Sequence, residues 1–429
     1  SADTFAATDG MLSVSSTFIQ GGAVLEVVVN DPDYSSTEDD INDGPEVDIA
    51  GTDYIMNQAV NGKWYLYVVD DSTAEALDDD GTGFEYGIKC DTGLGVSENT
   101  SDLIIKSGVE VWVATLSTSA KTIQAGGCMD ADNMIGTLDD TTGTTSRQDL
   151  TGAILQGAPT LSNHDDKSAG ASGIDLGQRG HGLNETGYGS WPYILGIELS
   201  DDTILEYGDD SVTVEFGNTD DEAALEIVNR NPAAFAELHV LVTDPALNVD
   251  PTTADVWIFD LSEDGSGTTA IFANNGSNTA LSPAQLGSMG CEANCLLKSD
   301  GESVLSGFDD VTMTESGSNT AIFESFDAEG ESQIELIEQA TGDTKIVFTY
   351  GDDNVDMIVT YNDASLTLDA PSDWKPATAA TFTVTDNDMN FNPDSVDELE
   401  VGDERRVIPT IIMGDPLTLA DAGTNPHLE

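Results

Sequence analysis

Two unrelated motifs recur in this chain at almost the same spacing, and that constrains its fold more than any single composition figure. Asp244 to Asp255 reads D-P-A-L-N-V-D-P-T-T-A-D, and Asp386 to Asp397 reads D-N-D-M-N-F-N-P-D-S-V-D. The shared frame is D-x-x-x-N-x-[DN]-P-x-x-x-D, with an offset of 142 residues (386 − 244). Tyr207-Gly208-Asp209-Asp210-Ser211-Val212 matches Tyr350-Gly351-Asp352-Asp353-Asn354-Val355 at an offset of 143 residues (350 − 207). A common offset for two motifs indicates a domain-sized internal duplication. A shorter echo lies inside the second unit, where L-S-E-D-G-S-G-T-T-A-I-F ends at Phe272 and M-T-E-S-G-S-N-T-A-I-F ends at Phe323.

The segments between the motifs read as strands. Ala23 to Asn30 (AVLEVVVN), Lys63 to Val69 (KWYLYVV) and Val109 to Leu116 (VEVWVATL) are aromatic and β-branched. Runs of that kind suit a pleated, half-buried surface. Helix signal is sparse; Asp220 to Asn229 is the one stretch that predicts a turn or two. The fold class expected is all-β, in tandem sandwiches of about seven to nine strands each. Residues 1–215 are expected to form an N-terminal sandwich region of one or two domains, with a Gly-rich insertion around 163–189. Residues 216–365 are expected to form a β-sandwich repeat. Residues 366–429 read as the start of a further repeat too short to finish, as in a fragment of a longer chain.

The motif itself suggests calcium. Oxygen side chains fall at Asp386, Asp388, Asn390 and Asn392, with Asp397 closing the run; Asp244, Asn248, Asp250 and Asp255 occupy the earlier copy. Calcium takes six to eight oxygens from carboxylates, amides, carbonyls and water. An EF-hand is excluded, because Phe391 and Val249 stand where that loop needs Gly, Asp closes instead of Glu, and a strand precedes. The expectation is a strand-to-loop calcium site that offsets repulsion among the carboxylates. The alternative is an Asx-rich turn with no metal. A degenerate third copy begins at Asp31-Pro32-Asp33, placing Asp31 and Asp33 with the candidate ligands. Calcium is preferred to magnesium because magnesium insists on near-octahedral geometry.

Charge narrows the partners. The chain carries 80 acidic residues against 13 Lys and Arg, a net charge of −67. Nucleic acid is excluded, since its binding needs Lys and Arg to displace counterions. Insertion into an anionic membrane surface is equally disfavoured. Cations are the favoured partners, as bound calcium, a diffuse counterion cloud or high external salt, because self-repulsion of this size needs screening. The hydrophobic fraction of 39% is too high for a disordered chain. Four cysteines, Cys90, Cys128, Cys291 and Cys295, predict two disulfides in an extracellular setting. Three pairings are open, and the local one (Cys90 with Cys128, Cys291 with Cys295) is preferred because the pairs lie far apart. N-x-[ST] sequons at Asn99, Asn184 and Asn275 are candidate glycosylation sites.

Enzyme motifs are absent: no G-x-S-x-G elbow, phosphate loop, H-E-x-x-H or dinucleotide fingerprint occurs. The chain is therefore expected not to be an enzyme. His239 reads as an ordinary strand residue. Two other readings are carried. One is a calcium-dependent adhesin or carbohydrate-binding module, for which Trp191-Pro192-Tyr193 would be the aromatic platform. The other is a secreted, salt-adapted hydrolase using one of many possible acid pairs.

At V-T-D-x-x-x-N-x-[DN]-P-x-x-x-D, together with T-E-S-G-S-N-T-A-I-F, the chain resembles the S-layer proteins of ammonia-oxidising archaea of the Nitrosopumilus type. The likeness covers about residues 235–429 through repeated motifs, and 1–200 by composition and the Asp31 start. It implies immunoglobulin-like sandwich domains, an extracellular cell-surface position, self-assembly into a two-dimensional lattice and dependence on divalent cations. It also implies an acidic mesh that enriches ammonium. Screening confines such enrichment to about a Debye length, roughly 8–10 Å at physiological salt.

Overall fold

The structure is a computed structural model. It describes residues 5–39, 41, 44–77, 86, 88–90, 109–113, 154–162, 192–217, 219–259, 270–273, 279–281, 287–291, 297–299, 311–328, 330–332, 334–336, 342–375 and 378–397. The described residues are mostly β, with one short α-helix, Asp71–Leu77.

Sheet membership groups the described strands along the chain. Every strand through Asp210–Phe216 belongs to an eight-stranded or a five-stranded sheet. Strands from Ala224–Ile227 to Asp353–Ile358 build a seven-stranded sheet, a three-stranded sheet and a two-stranded one. Ser365–Asp369 and Thr381–Thr385 form a hairpin of their own. The first region is one two-layer unit, because its sheets interleave in sequence and share a core. Leu12, Val27, Leu66 and Val68 from one sheet meet Val47, Ile49, Leu205 and Val214 from the other.

Strand Trp64–Asp70 is buried at all seven positions, and its alternating sides explain why. Trp64, Leu66 and Val68 enter the core of the first unit. Tyr67 and Val69 join a second cluster that continues into Trp257, Phe272 and Phe348 of the next unit. A strand buried on both faces reads as a continuous apolar run, which is how W-Y-L-Y-V-V reads. The same strand pairs parallel with Tyr193–Ile197.

Three hairpins are equivalent. In the first unit Leu12–Val14 pairs with Leu25–Val29, matching Leu12 with Val29 and Val14 with Val27. In the second, Ala224–Ile227 pairs with Val240–Thr243, matching Leu225 with Val242 and Ile227 with Val240. The offset is 213 residues for all four positions (225 − 12, 227 − 14, 240 − 27, 242 − 29). In the third, Leu366 faces Val384 and Leu368 faces Phe382. Each second strand leads, directly or after one residue, into a motif aspartate: Asp31, Asp244 or Asp386.

The Tyr-Gly-Asp-Asp segments are hairpin turns. Thr203–Tyr207 pairs with Asp210–Phe216, and Lys345–Tyr350 with Asp353–Ile358, with the Tyr opposite the second Asp in both. Gly208 and Gly351 hold positive φ of 61° and 55°, a conformation glycine adopts without steric penalty. Ala270–Phe272 and Ile322–Glu324 are the strands entered through the two T-A-I-F sequences.

Two expectations are corrected. Asp220 to Asn229 forms only a 3-10 turn, Asp220–Glu222, and then the strand Ala224–Ile227, because Leu225 and Ile227 alternate into the core. Asp71–Leu77 is helical although nothing in the sequence reading selected it. Asp70 accepts from Thr73 N, Thr73 Oγ1 and Ser72 Oγ at its start, the role of an N-terminal cap.

Candidate functional site: the motif loops as unit junctions

Each motif opens with the same device. The first aspartate has an extended backbone and caps a single 3-10 turn. Its Oδ1 accepts from the amide two residues on: Asp31 from Asp33 N, Asp244 from Ala246 N, Asp386 from Asp388 N, at 2.8, 2.8 and 3.0 Å. The last aspartate reaches back to the middle of the loop. Asp255 Oδ2 accepts from Val249 N and Asp250 N; Asp397 Oδ2 accepts from Phe391 N and Asn392 N. The first and last aspartates of the frame are therefore spent on folding the loop around its own amides.

The loop then docks on the preceding unit, twice in one register. Val24 N donates to Val249 O at 2.9 Å, and Glu237 N donates to Phe391 O at 2.7 Å. Val249 and Phe391 hold the same motif position, five after the first aspartate. Val24 and Glu237 hold the same position seven before the motif aspartate of their own unit (31 − 24, 244 − 237). One inter-unit hydrogen bond is thus repeated at both junctions.

The [DN] position makes the second repeated contact, and its chemistry follows the neighbour. Asp250 Oδ1 accepts from Thr252 N, and Oδ2 accepts from Leu155 N of the first unit at 2.8 Å. Asn392 Oδ1 accepts from Asp394 N, and Nδ2 donates to Gly330 O of the second unit at 2.6 Å. A carboxylate stands where the neighbour offers N–H, and an amide stands where it offers C=O. Asn248 donates to Asn319 Oδ1, and Asn319 donates onward to Ser15 O of the first unit.

The first motif is satisfied within its own unit. Ser36, five after Asp31, has its carbonyl taken by Gln58 Nε2 at 3.1 Å, and the same nitrogen reaches Tyr34 O. Asp33 is exposed, and Asp31 is 8% exposed.

The tyrosine of each Tyr-Gly-Asp-Asp turn completes the first aspartate. Tyr207 donates to Asp31 Oδ2 at 2.7 Å, and Tyr350 donates to Asp244 Oδ2. Burial, followed by the Asp31 hydrogen bond and charge, pushes the Tyr207 hydroxyl well above its usual range. The phenol therefore remains a donor at any physiological pH.

A cluster of buried acids lies behind the second loop. Glu315 Oε2 accepts from Asp255 N, and Oε1 accepts from Thr320 N and Ala321 N. Burial pushes Glu315 up to about 7 although those amides pull the other way. Burial, then the neighbouring Asp250 and Glu315, holds Asp255 well above the carboxylate range. Burial also raises Asp250 against four hydrogen bonds that favour its charge.

His239 sits at the second junction, fully buried, stacked on Phe326 at 4.3 Å between ring centroids. Its Nδ1 lies 2.9 Å from Asp394 Oδ2, and its Nε2 lies 4.0 Å from Glu237 Oε2. Burial disfavours its charge, but Glu237 and Asp394 outweigh that and raise its pKa. His239 is thus a junction residue rather than the ordinary strand position expected.

The donor pattern of the second loop bears on calcium. The oxygens of Asp244, Asp250 and Asp255 face N–H and O–H groups, which a cation would have to displace. Asn248 Oδ1 is buried without a hydrogen-bond partner, and one amide oxygen is far from a shell of six to eight. This loop fits a hydrogen-bonded turn better than a coordination shell. In the third loop Asp388 accepts from Asn362 N and Nδ2, and Asn390 is exposed as the C-cap. Among the described residues no group of three His, Cys, Asp or Glu is disposed to hold a metal.

Other expected sites are partly placed. Cys291 is disulfide-bonded at the end of strand Met289–Cys291, and Cys90 ends strand Ile88–Cys90. Cys128, Cys295, Asn99, Asn184, Asn275 and Trp191 lie outside the described residues. Among the described residues no helix is long and apolar enough to cross a membrane. No protein-family model matches the chain, and no curated protein matches it.

Tyr207, Tyr350, Glu315, Asn319 and His239 were not singled out as functional by sequence. The signal available for the tyrosines was the common offset of the two motifs, because residues that repeat together can touch together.

Proposed function

We propose that this chain is a structural segment of an extracellular surface layer, a stiff row of immunoglobulin-like β-sandwich units joined through their motif loops. The observation that carries this reading is the repeated junction, Val24 N to Val249 O and Glu237 N to Phe391 O in one register. A protein built to hold spacing needs its units fixed relative to one another. Loops that spend their carboxylates on folding and their outward groups on the neighbour supply that. The core running from Tyr67 and Val69 into Trp257 stiffens the first junction further. Self-assembly into a lattice and enrichment of cations such as ammonium belong to the same reading, supported by the net charge of −67.

Calcium enters this reading as a counterion for that charge rather than as the organiser of the second loop. The test is electron microscopy of the purified chain with calcium, with magnesium and with sodium at matched ionic strength. Sheets or rows with a fixed repeat under divalent cations support the layer. Monodisperse particles whose units bend freely in every condition would sink it.

A further inference from the structure

We propose that the joint between the second and third units is a pH-operated latch, closed while His239 holds a proton between Asp394 and Glu237 and slackened when that proton leaves. His239 belongs to the second unit and Asp394 to the motif loop of the third, so the pair crosses the joint. Nδ1 lies 2.9 Å from Asp394 Oδ2. Nε2 makes no hydrogen bond among the described residues and faces Glu237 Oε2 at 4.0 Å. Glu237 itself touches the third unit, because its Oε2 also accepts from Asn392 Nδ2 at 3.2 Å.

A buried ring with a carboxylate at each nitrogen suits one protonation state. Imidazolium offers an N–H to both sides, whereas the neutral ring keeps one donor and turns a lone pair on the other side. The charged groups facing the ring are Asp394 from the loop, Glu237 from its own segment and Glu324 from strand Ile322–Glu324. Loss of the proton sets three carboxylates around an uncharged ring. Burial alone would favour the neutral ring, but Glu237 and Asp394 outweigh it.

The first joint is built otherwise at the same positions. By the hairpin offset of 213, Glu26 stands for His239 (239 − 213) and Val24 for Glu237 (237 − 213); by the motif offset of 142, Thr252 stands for Asp394 (394 − 142). Glu26 accepts from Tyr67 at 2.8 Å, and Thr252 Oγ1 accepts from Gly157 N of the first unit at 3.1 Å. The apolar cluster that crosses the first joint contains no residue of the third unit among the described residues. The second joint therefore rests on the polar contacts of Glu237, His239, Asn392 and Asp394, where one proton weighs most. This latch presumes the motif loops as joints but not the lattice: exchange reports the joint in the isolated chain, whereas microscopy reports the layer.

The test is amide exchange of the full chain at Glu237 N and Val24 N, expressed as protection factors, from about pH 5.5 to 8.5, a span that brackets the ordinary histidine range. Protection at Glu237 N should fall as pH rises, by at most about tenfold per pH unit, the limit for one proton. It should level off once His239 is neutral. Asp394→Asn alters an exposed side chain and leaves the Asp394 N to Asn392 Oδ1 bond in place. It should move the fall to lower pH, and His239→Gln should abolish it. Neither variant should change the profile at Val24 N, whose loop is backed by Glu315 instead. If His239→Gln does not fold, the displacement in Asp394→Asn decides alone. A flat profile at Glu237 N, one that Asp394→Asn leaves in place, or one that follows Val24 N in every variant overturns the latch.

Discussion

Tyr350 donates its hydroxyl to Asp244 across 106 residues of sequence, and Tyr207 does the same to Asp31 across 176. The difference between those spans is the extra chain of the first unit, which leaves the contact itself intact. Because Tyr350 and Asp244 are 1% and 3% exposed, losing the hydroxyl strands a buried carboxylate oxygen. Tyr350→Phe should cost about 1–3 kcal/mol of stability. Tyr207→Phe should cost less, since Tyr207 is only half-buried. Chemical denaturation of each variant checks the order, and a neutral Tyr350→Phe would remove the contact from the account.

The match of Asp250 to Leu155 N and of Asn392 to Gly330 O predicts unequal costs for exchanging the two residues. Asp250→Asn can present N–H to N–H if its amide turns toward Leu155. Asn392→Asp sets a carboxylate against a carbonyl and beside Glu237, whose Oε2 now accepts from Asn392 Nδ2 at 3.2 Å. The second variant should be the worse, by roughly 1–3 kcal/mol, because it leaves an uncompensated charge. Amide exchange at Val24 and Glu237 separates loosening of each junction from global unfolding.

Stability should rise on mild acidification. Glu315 has a folded-state pKa raised to about 7 from 4.5, so the native state binds more protons than the unfolded state between those values. That contribution is fully present below pH 4.5 and is lost as pH rises through 7, an effect on the order of 3 kcal/mol. Asp255 is raised too and acts in the same direction. Denaturation midpoints between pH 4.5 and 7.5 check this, with Glu315→Gln expected to flatten the slope.

His239 extends the trend at the second junction. Its pKa is raised in the folded state, so its contribution is present below the ordinary histidine range and fades as pH rises through its folded value. The groups facing it are Asp394 and Glu237, with Glu324 also sensing its charge. His239→Gln should remove the histidine-linked pH dependence of the protection factor at Glu237 N, while the protection factor at Val24 N stays unchanged.

The β content and the hairpin turns were legible because they depend on local pattern. V-L-E-V-V-V alternates into a core, and Gly208 takes a positive φ whatever packs on it. The motif was legible as a unit but its use was not. Oxygens at alternating positions look alike whether they face a cation or backbone amides, and only the folded loop reveals Val249 N and Asp250 N behind Asp255. His239 was hidden for a related reason, since Asp394 lies 155 residues away. Helix Asp71–Leu77 was missed because one buried residue, Ala74, leaves no periodic stripe to read.

The junction joins two unlike surfaces: a loop from one unit meets the strand entrance of the unit before it. Such a heterologous contact cannot close on itself as a two-fold pair does, and repeating it generates either a ring or an open row. Polarity is therefore written into every joint. A fibre or sheet built from these units would have distinguishable ends, and its growth at each end would involve different chemistry.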